Sequence, residues 1–119
     1  MPVLAPVPLD RFLDPEEDPA LYPDPAILAR HLPGLDLVAP DSLRTACFIG
    51  GYGQRFVGSG SFLRTPRGIR QFSPAEIARL MGLPEAFRFP PDTSLEQRYR
   101  LLGNGLSQPV ARWVLRQLL

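Results

Sequence analysis

Between Gln71 and Ser107 the chain carries two short helices whose ends are marked in the sequence itself, and these marks constrain the rest of the chain most. The first helix lies in Ser-Pro-Ala-Glu-Ile-Ala-Arg-Leu-Met-Gly-Leu-Pro. Ser73 can cap its N-terminus, Pro74 suits the first helical position, and Glu76 can reach back to close a capping box. Gly82 ends this helix and Pro84 prevents its resumption. The second helix can be capped by Thr93 or Ser94, with Glu96 or Gln97 placed to reciprocate. It runs to about Leu102, where Gly103 stops it. Gly103-Asn104-Gly105 then forms a tight turn directly before another helix. Such a turn lets backbone approach a small ligand, with Asn104 offering a donor and an acceptor. A plain joint between helices would use the same three residues for positive φ alone.

The remaining punctuation is read in the same way. Asp24-Pro25 opens a helix through His31, closed by Pro33-Gly34, with Ile27, Leu28, His31 and Leu32 as its apolar side. His31 has no acid-base partner placed for it and reads as a structural histidine. Residues 43–72 read as short strands, Ala46 to Ile49, Arg55 to Val57, Phe62 to Thr65 and Ile69 to Phe72, joined by glycine-rich turns. The stretch Leu83 to Asp92 is a proline-rich connector that Phe87 and Phe89 pin to the body. Ser107 and Pro109 start a last helix, with Val110, Trp113, Val114 and Leu118 on one face. The fold class expected is α+β: a small glycine-rich β region, short helices and a C-terminal helix. Three segments follow, 1–42, 43–92 and 93–119.

Charge is distributed unevenly. Every basic residue is arginine; residues 1–41 hold eight acids and two arginines, and residues 42–119 hold eleven arginines and four acids. The two parts therefore stand at −6 and +7. An acidic arm ahead of a basic body suggests an anionic partner for the body. Residues 1–23 contain six prolines and read as an extended arm, anchored by Leu9, Phe12 and Leu13, which docks on a surface or frays. Another chain is one candidate for that surface. Arginine forks match phosphate oxygens and guanine edges, and Phe48, Tyr52 and Phe56 could stack on unpaired bases. Arg44, Arg55, Arg64 and Arg67 are the expected phosphate contacts. The single cysteine, Cys47, excludes an internal disulfide and any multi-cysteine metal site, and fits a reducing cytoplasm. Taken alone, a lone cysteine in an apolar strand is a small buried hydrophobe. No stretch suits a membrane span, and no signal peptide is visible. No Gly-Lys-Ser/Thr follows the glycines, and Gly51-Tyr52-Gly53 lacks a third glycine, so neither a nucleotide-triphosphate loop nor a dinucleotide fingerprint is present.

Phe-Ser-Pro-Ala-Glu-Ile-Ala-Arg-Leu-Met-Gly-Leu-Pro followed by Gln-Arg-Tyr-Arg-Leu-Leu-Gly-Asn-Gly-Leu-Ser resembles motifs IX and X of the cytosine-5 methyltransferases. Upstream, Arg-Thr-Ala-Cys-Phe-Ile and Gly-Ser-Gly-Ser resemble the Cys-Phe-Thr and Gly-Thr-Gly-Ser signatures of the transfer-RNA aspartate branch. The resemblance runs from about Leu9 to Leu119, and it corresponds to the back part of such an enzyme only. It implies that Asn104, Gly105 and Leu106 lie at S-adenosylmethionine (SAM), and that Cys47, Phe48, Ser59 and Ser61 lie near the target nucleotide. It also implies that the last helix packs on a SAM-binding α/β domain that this sequence does not contain. Val110, Trp113, Val114 and Leu118 would then meet a catalytic partner chain or a second copy. Two departures stand out: Ile49 replaces the threonine of Cys-Phe-Thr, and Gly105 replaces the usual serine after Gly-Asn.

The family's SAM loop, Pro-Cys loop and Glu-Asn-Val motif are absent from the chain, and Cys47 follows Ala46 rather than proline. The isolated chain is therefore expected to be inactive, with its substrate, transfer RNA or DNA, shared with a partner. The chain is then either a natural subunit of a split enzyme or a fragment, and Met1 and the coherent start favour a separate gene product. Two other classes of function fit the same features. A non-catalytic nucleic-acid-binding remnant would bind in a salt-sensitive way without SAM. A structural interaction subunit would use the Trp113 face and the acidic arm.

Overall fold

A computed structural model of the 119-residue chain describes residues 3–4, 8–84 and 86–103. In chain order the elements are β1 (Val3–Leu4), α1 (Pro25–His31), β2 (Asp36–Val38), β3 (Arg44–Thr45), β4 (Ser61–Thr65), β5 (Gly68–Gln71), α2 (Pro74–Leu80) and α3 (Leu95–Gly103). The fold is α+β, as expected. One sheet has the order β2-β4-β5, with β2 parallel and β5 antiparallel to β4. β1 and β3 pair separately, antiparallel. No helix among the described residues is long and apolar enough to cross a membrane.

Local chemistry explains most of these elements. Ser73 Oγ accepts from Glu76 N (3.1 Å) and Glu76 Oε1 accepts from Ser73 N (2.8 Å), completing the predicted capping box of α2. Ser94 and Gln97 do the same for α3, so of the four candidates these two form the cap. Asp24 caps α1 through Ala26 N at 2.8 Å. The β4–β5 hairpin turns at Pro66-Arg67, with the Thr65 hydroxyl accepting from Arg67 N at 3.1 Å. β4 lies between two strands and buries Phe62 and Leu63 side by side, as a strand covered on both faces does.

The expectations for the β region need three corrections. Ala46 to Ile49 and Arg55 to Val57 are not strands. Their backbone closes on itself instead, through Tyr52 N to Ile49 O (3.0 Å), Arg55 N to Gly51 O (2.8 Å) and Ile49 N to Ser59 O (2.9 Å). β2 had no local signal and exists through its pairing with β4. α1 buries none of its residues; Ile27 and Leu32 are exposed, and His31 stacks on Phe56 at 5.1 Å.

The core is drawn from the whole length described. Leu9 of the arm, Tyr52 of the loop, Phe62 and Leu63 of β4, Phe72, Ile77 of α2, and Tyr99 and Leu102 of α3 form one buried cluster. Leu9 is wholly enclosed, a burial that contributes about 1.5–3 kcal/mol. Residues 8–24 thus dock on their own body. Asp14 accepts from Arg79 Nη1 (2.7 Å) and Ser73 Oγ (2.6 Å), and Glu17 is ion-paired with Arg70.

Burial pushes the Glu17 carboxyl up, but the Tyr22 hydroxyl and the Arg70 guanidinium outweigh it and hold the group below its ordinary range. A depressed carboxylate binds its proton less readily folded than unfolded. Its stabilisation is therefore present above the unfolded value of about 4.3 and is lost as pH falls through the lower folded value. Thermal melts from about pH 6 to about pH 3 should fall more steeply for the natural chain than for Glu17→Gln. Parallel curves would remove Glu17 as a source of acid sensitivity.

Candidate nucleic-acid interface

The segment 46–60 is a loop of turns held from beneath by two tyrosines. Tyr52 Oη donates to Ser61 O (2.6 Å) and accepts from Phe72 N (2.8 Å). Tyr99 packs edge-on against Tyr52 at 5.1 Å, donates its hydroxyl to Phe72 O and accepts from Gln71 Nε2 (3.2 Å). Burial pushes both phenols well above their ordinary range. They are therefore neutral donors that fix the loop, not acid-base groups.

The hydroxyls expected near a nucleotide do similar work. Ser59 Oγ donates to Arg55 O at 2.6 Å. Ser61 Oγ accepts from Ala46 N at 2.7 Å and donates to Asp36. Both serines are fully buried, which removes their side chains from any outer surface. The aromatics are corrected in the same sense. Tyr52 is 1% exposed. Phe56 is stacked on one side by His31 and on the other by Phe62, at 5.1 and 5.6 Å. Phe48 is half-buried and sits edge-on against Tyr52 and Phe72. Tyr52 and Phe56 thus offer no free ring face for a base. Gly60, with φ +147°, is required by this packing: a Cβ there would lie 2.4 Å from the Phe48 ring.

Charge and one thiol face outward here, beside the apolar side chains of Leu43 and Val57. Arg44, Arg55, Arg64 and Arg67 are all exposed, and none is in an ion pair among the described residues. Arg67 lies over the Tyr22 ring at 5.4 Å, and Tyr22 in turn shares a hydrogen bond with Thr65 at 2.8 Å. Cys47 is exposed, so the reading as a buried hydrophobe fails. The other arginines of the body divide differently: Arg70 is buried, and Arg79 and Arg100 are paired with Asp14 and Glu96.

Arg70 was not expected as a special residue. Its guanidinium makes a two-pronged contact with Glu76, at 2.8 and 2.9 Å, while its Nε meets Glu17. Glu76 also accepts from Ser73 N and Asp14 N, both at 2.8 Å. The capping-box glutamate is thereby the node that joins α2, β5 and the arm. Burial works against the Arg70 charge, but the two carboxylates outweigh it and raise its pKa further.

Asn104, Gly105 and Leu106, and the apolar face Val110, Trp113, Val114 and Leu118, lie outside the described residues. Gly103, the last described residue of α3, packs directly on the Ile49–Gly50 backbone. A Cβ at 103 would stand 2.1 Å from Gly50 N and from the Ile49 carbonyl carbon. The fold thus joins the end of α3 to the loop that carries Cys47, two stretches about fifty residues apart in sequence.

Comparison with known proteins agrees with this geometry. Residues 40–119 match the family model described as C-5 cytosine-specific DNA methylase. A "tRNA (cytosine(38)-C(5))-methyltransferase" of Rattus norvegicus is 38% identical, over 83% of this chain and 32% of its own length. A "DNA (cytosine-5)-methyltransferase" of Dictyostelium discoideum is 34% identical, over 70% of this chain and 26% of its own length. The crystal structure of the S. pombe Dnmt2 methyltransferase superposes with a TM-score of 0.77 at 28% identity, covering 93% of this chain and 41% of that one. The chain spans about a third of the length of the curated relatives it matches. With residues 40–119, two thirds of its length, matched by that model, the chain belongs to the C-5 cytosine-specific DNA methylase family.

Proposed function

We propose that this chain is the C-terminal, target-recognition and cofactor-completing part of a SAM-dependent cytosine-5 methyltransferase of the transfer-RNA branch. The observation that carries the reading is the contact of Gly103 with Ile49–Gly50, which brings the end of α3 against the loop bearing Cys47. The names of several relatives, methyltransferases of transfer-RNA cytosine, support the choice of substrate class. In this reading Asn104 and its neighbours close one side of the SAM pocket, and SAM supplies the methyl group. Arg44, Arg55, Arg64 and Arg67 hold phosphates around the target nucleotide, which must leave its stack to react.

The chemistry requires a thiolate to add at carbon 6 of the cytosine, making carbon 5 nucleophilic, with an acid near ring nitrogen 3. Cys47 follows Ala46 rather than a proline and is not assigned that role. The thiolate and acid are supplied from outside this sequence, by a catalytic partner chain or by the rest of a longer protein, and the face of Val110, Trp113, Val114 and Leu118 would contact that part.

Native mass spectrometry of the chain purified gently from its source tests the partner. A complex with a chain carrying a Pro-Cys loop, able to methylate transfer RNA, supports the proposal; a lone monomer or homodimer overturns it. Within such a complex, Asn104→Ala should weaken SAM binding about tenfold, the loss of roughly one hydrogen-bonded contact near a charged ligand. Unchanged SAM affinity and turnover would remove Asn104 from the cofactor site.

A further inference from the structure

A second surface lies apart from the residues assigned above. α2, the connector 83–89 and the first half of α3 enclose an open groove of about 860 Å³. Phe12, Ala78, Leu83 and Phe87 give it an apolar floor, and Arg79, Arg88 and Arg98 stand at its rim. No described residue lining it is acidic. The volume falls within the roughly 300–1,000 Å³ typical of small-ligand sites.

Its aromatic wall is ordered. Phe87 and Phe89 meet edge to face at 5.0 Å. The Arg98 guanidinium lies over the Phe89 ring at 5.1 Å, and its Nε is tied to the Thr93 hydroxyl at 3.0 Å. An arginine laid on an aromatic ring is a platform on which a flat π-system can stack, while its outer N–H groups stay available to an anion. Arg98 has no carboxylate partner among the described residues. A flat aromatic group joined to a phosphate satisfies both demands at once.

We infer that this groove is a binding site for a nucleotide of a single-stranded nucleic acid, with the base against Phe87, Phe89 and Arg98 and the phosphate on the outer N–H groups of Arg98. It is distinct from the Arg44, Arg55, Arg64 and Arg67 set and does not depend on methyl transfer. The groove would grip an unpaired nucleotide at a distance from the target cytosine.

The test is fluorescence anisotropy of a labelled single-stranded pentaribonucleotide with the full 119-residue chain, together with NMR of the unsubstituted chain titrated with adenosine 5′-monophosphate. Arg98→Ala and Phe89→Ala should each weaken the oligonucleotide about tenfold. Arg98→Ala should also lower the salt slope by about 0.7, the release from one phosphate contact. The monophosphate should shift the Phe87 and Phe89 ring signals and the Arg98 Nε–H, a result that does not rely on either variant folding. Three outcomes would overturn the inference. They are shifts confined to other residues, affinity changed only by Arg64→Ala or Arg67→Ala, or tighter binding of an acidic tryptophan-containing peptide than of the oligonucleotide. None of the three bears on the catalytic partner, whose absence would overturn the methyltransferase proposal while leaving the groove intact.

Discussion

Arg70→Leu should lower the stability of the chain by about 3–5 kcal/mol, because it leaves the Glu76 carboxylate buried with no counter-charge. Glu76 is wholly enclosed and Arg70 is 1% exposed, so water cannot substitute for the lost partner. A domain of this size has about 5–15 kcal/mol in total, and such a loss brings it near unfolding. Two backbone N–H groups, of Ser73 and Asp14, would still hold Glu76, which restrains but does not offset the loss. The pair itself is a different quantity. Arg70→Leu with Glu76→Leu should cost clearly less than the two single changes together, since neither charge is then stranded. Urea melts of the four proteins form the cycle. Additive losses would mean that the two residues act independently, against the two-pronged geometry.

Gly103→Ala is the second large effect. In an ordinary helix this exchange gains up to about 1 kcal/mol from propensity. Here the added carbon would sit 2.1 Å from Gly50 N and 2.5 Å from Gly50 Cα, and both are backbone atoms that no rotamer change can move. The loop must shift by more than an ångström, so the expected net loss is at the upper end of the roughly 1–3 kcal/mol seen for overpacking. Gly51→Ala is the control, since its nearest contact would be Arg55 Cδ at 3.7 Å and little change is expected. Thermal melts decide between them: a Gly103→Ala protein as stable as the natural one would show that α3 and the loop do not press on each other.

Much of this fold is legible from helix ends and from the hairpin. Pro74, Ser73 and Glu76 give α2 a cap made within four residues, and Pro66-Arg67-Gly68 gives β4–β5 its turn, so local chemistry suffices. β2 carries no such mark. Asp36–Val38 is extended because β4 is beside it, a contact across more than twenty residues. The loop 46–60 looked like strands because its residues favour them, yet its glycines let the backbone satisfy itself in turns.

Exposure was legible where charged side chains simply face outward, as at Arg64 and Arg67. It was not legible where burial reverses a residue's meaning. Ser59 and Ser61 read as contacts for a ligand, and the structure uses both inside the chain. Arg70 looks like its neighbour Arg67 in composition alone. The signal that separates them is strand alternation: Arg70 lies two residues before Phe72, on the same inward face, and both are buried. Glu76 had been assigned to a cap, and its Oε atoms have enough lone pairs to serve an arginine and the arm as well.

The docking of the arm changes what a shortened protein would be. Residues 1–24 hold six acids and one arginine, so a chain beginning at residue 25 carries +6 in place of +1. Such trimming would empty the place of Leu9 in the core and take Asp14 from Arg79 and Glu17 from Arg70, although Glu76 still pairs with Arg70. A surface cation released in this way would attract any polyanion. Affinity gained in that way would measure the missing counter-charge rather than recognition. The docked arm therefore acts as an electrostatic shield, setting its carboxylates against arginines of the body and lowering the charge that the folded chain shows to solvent.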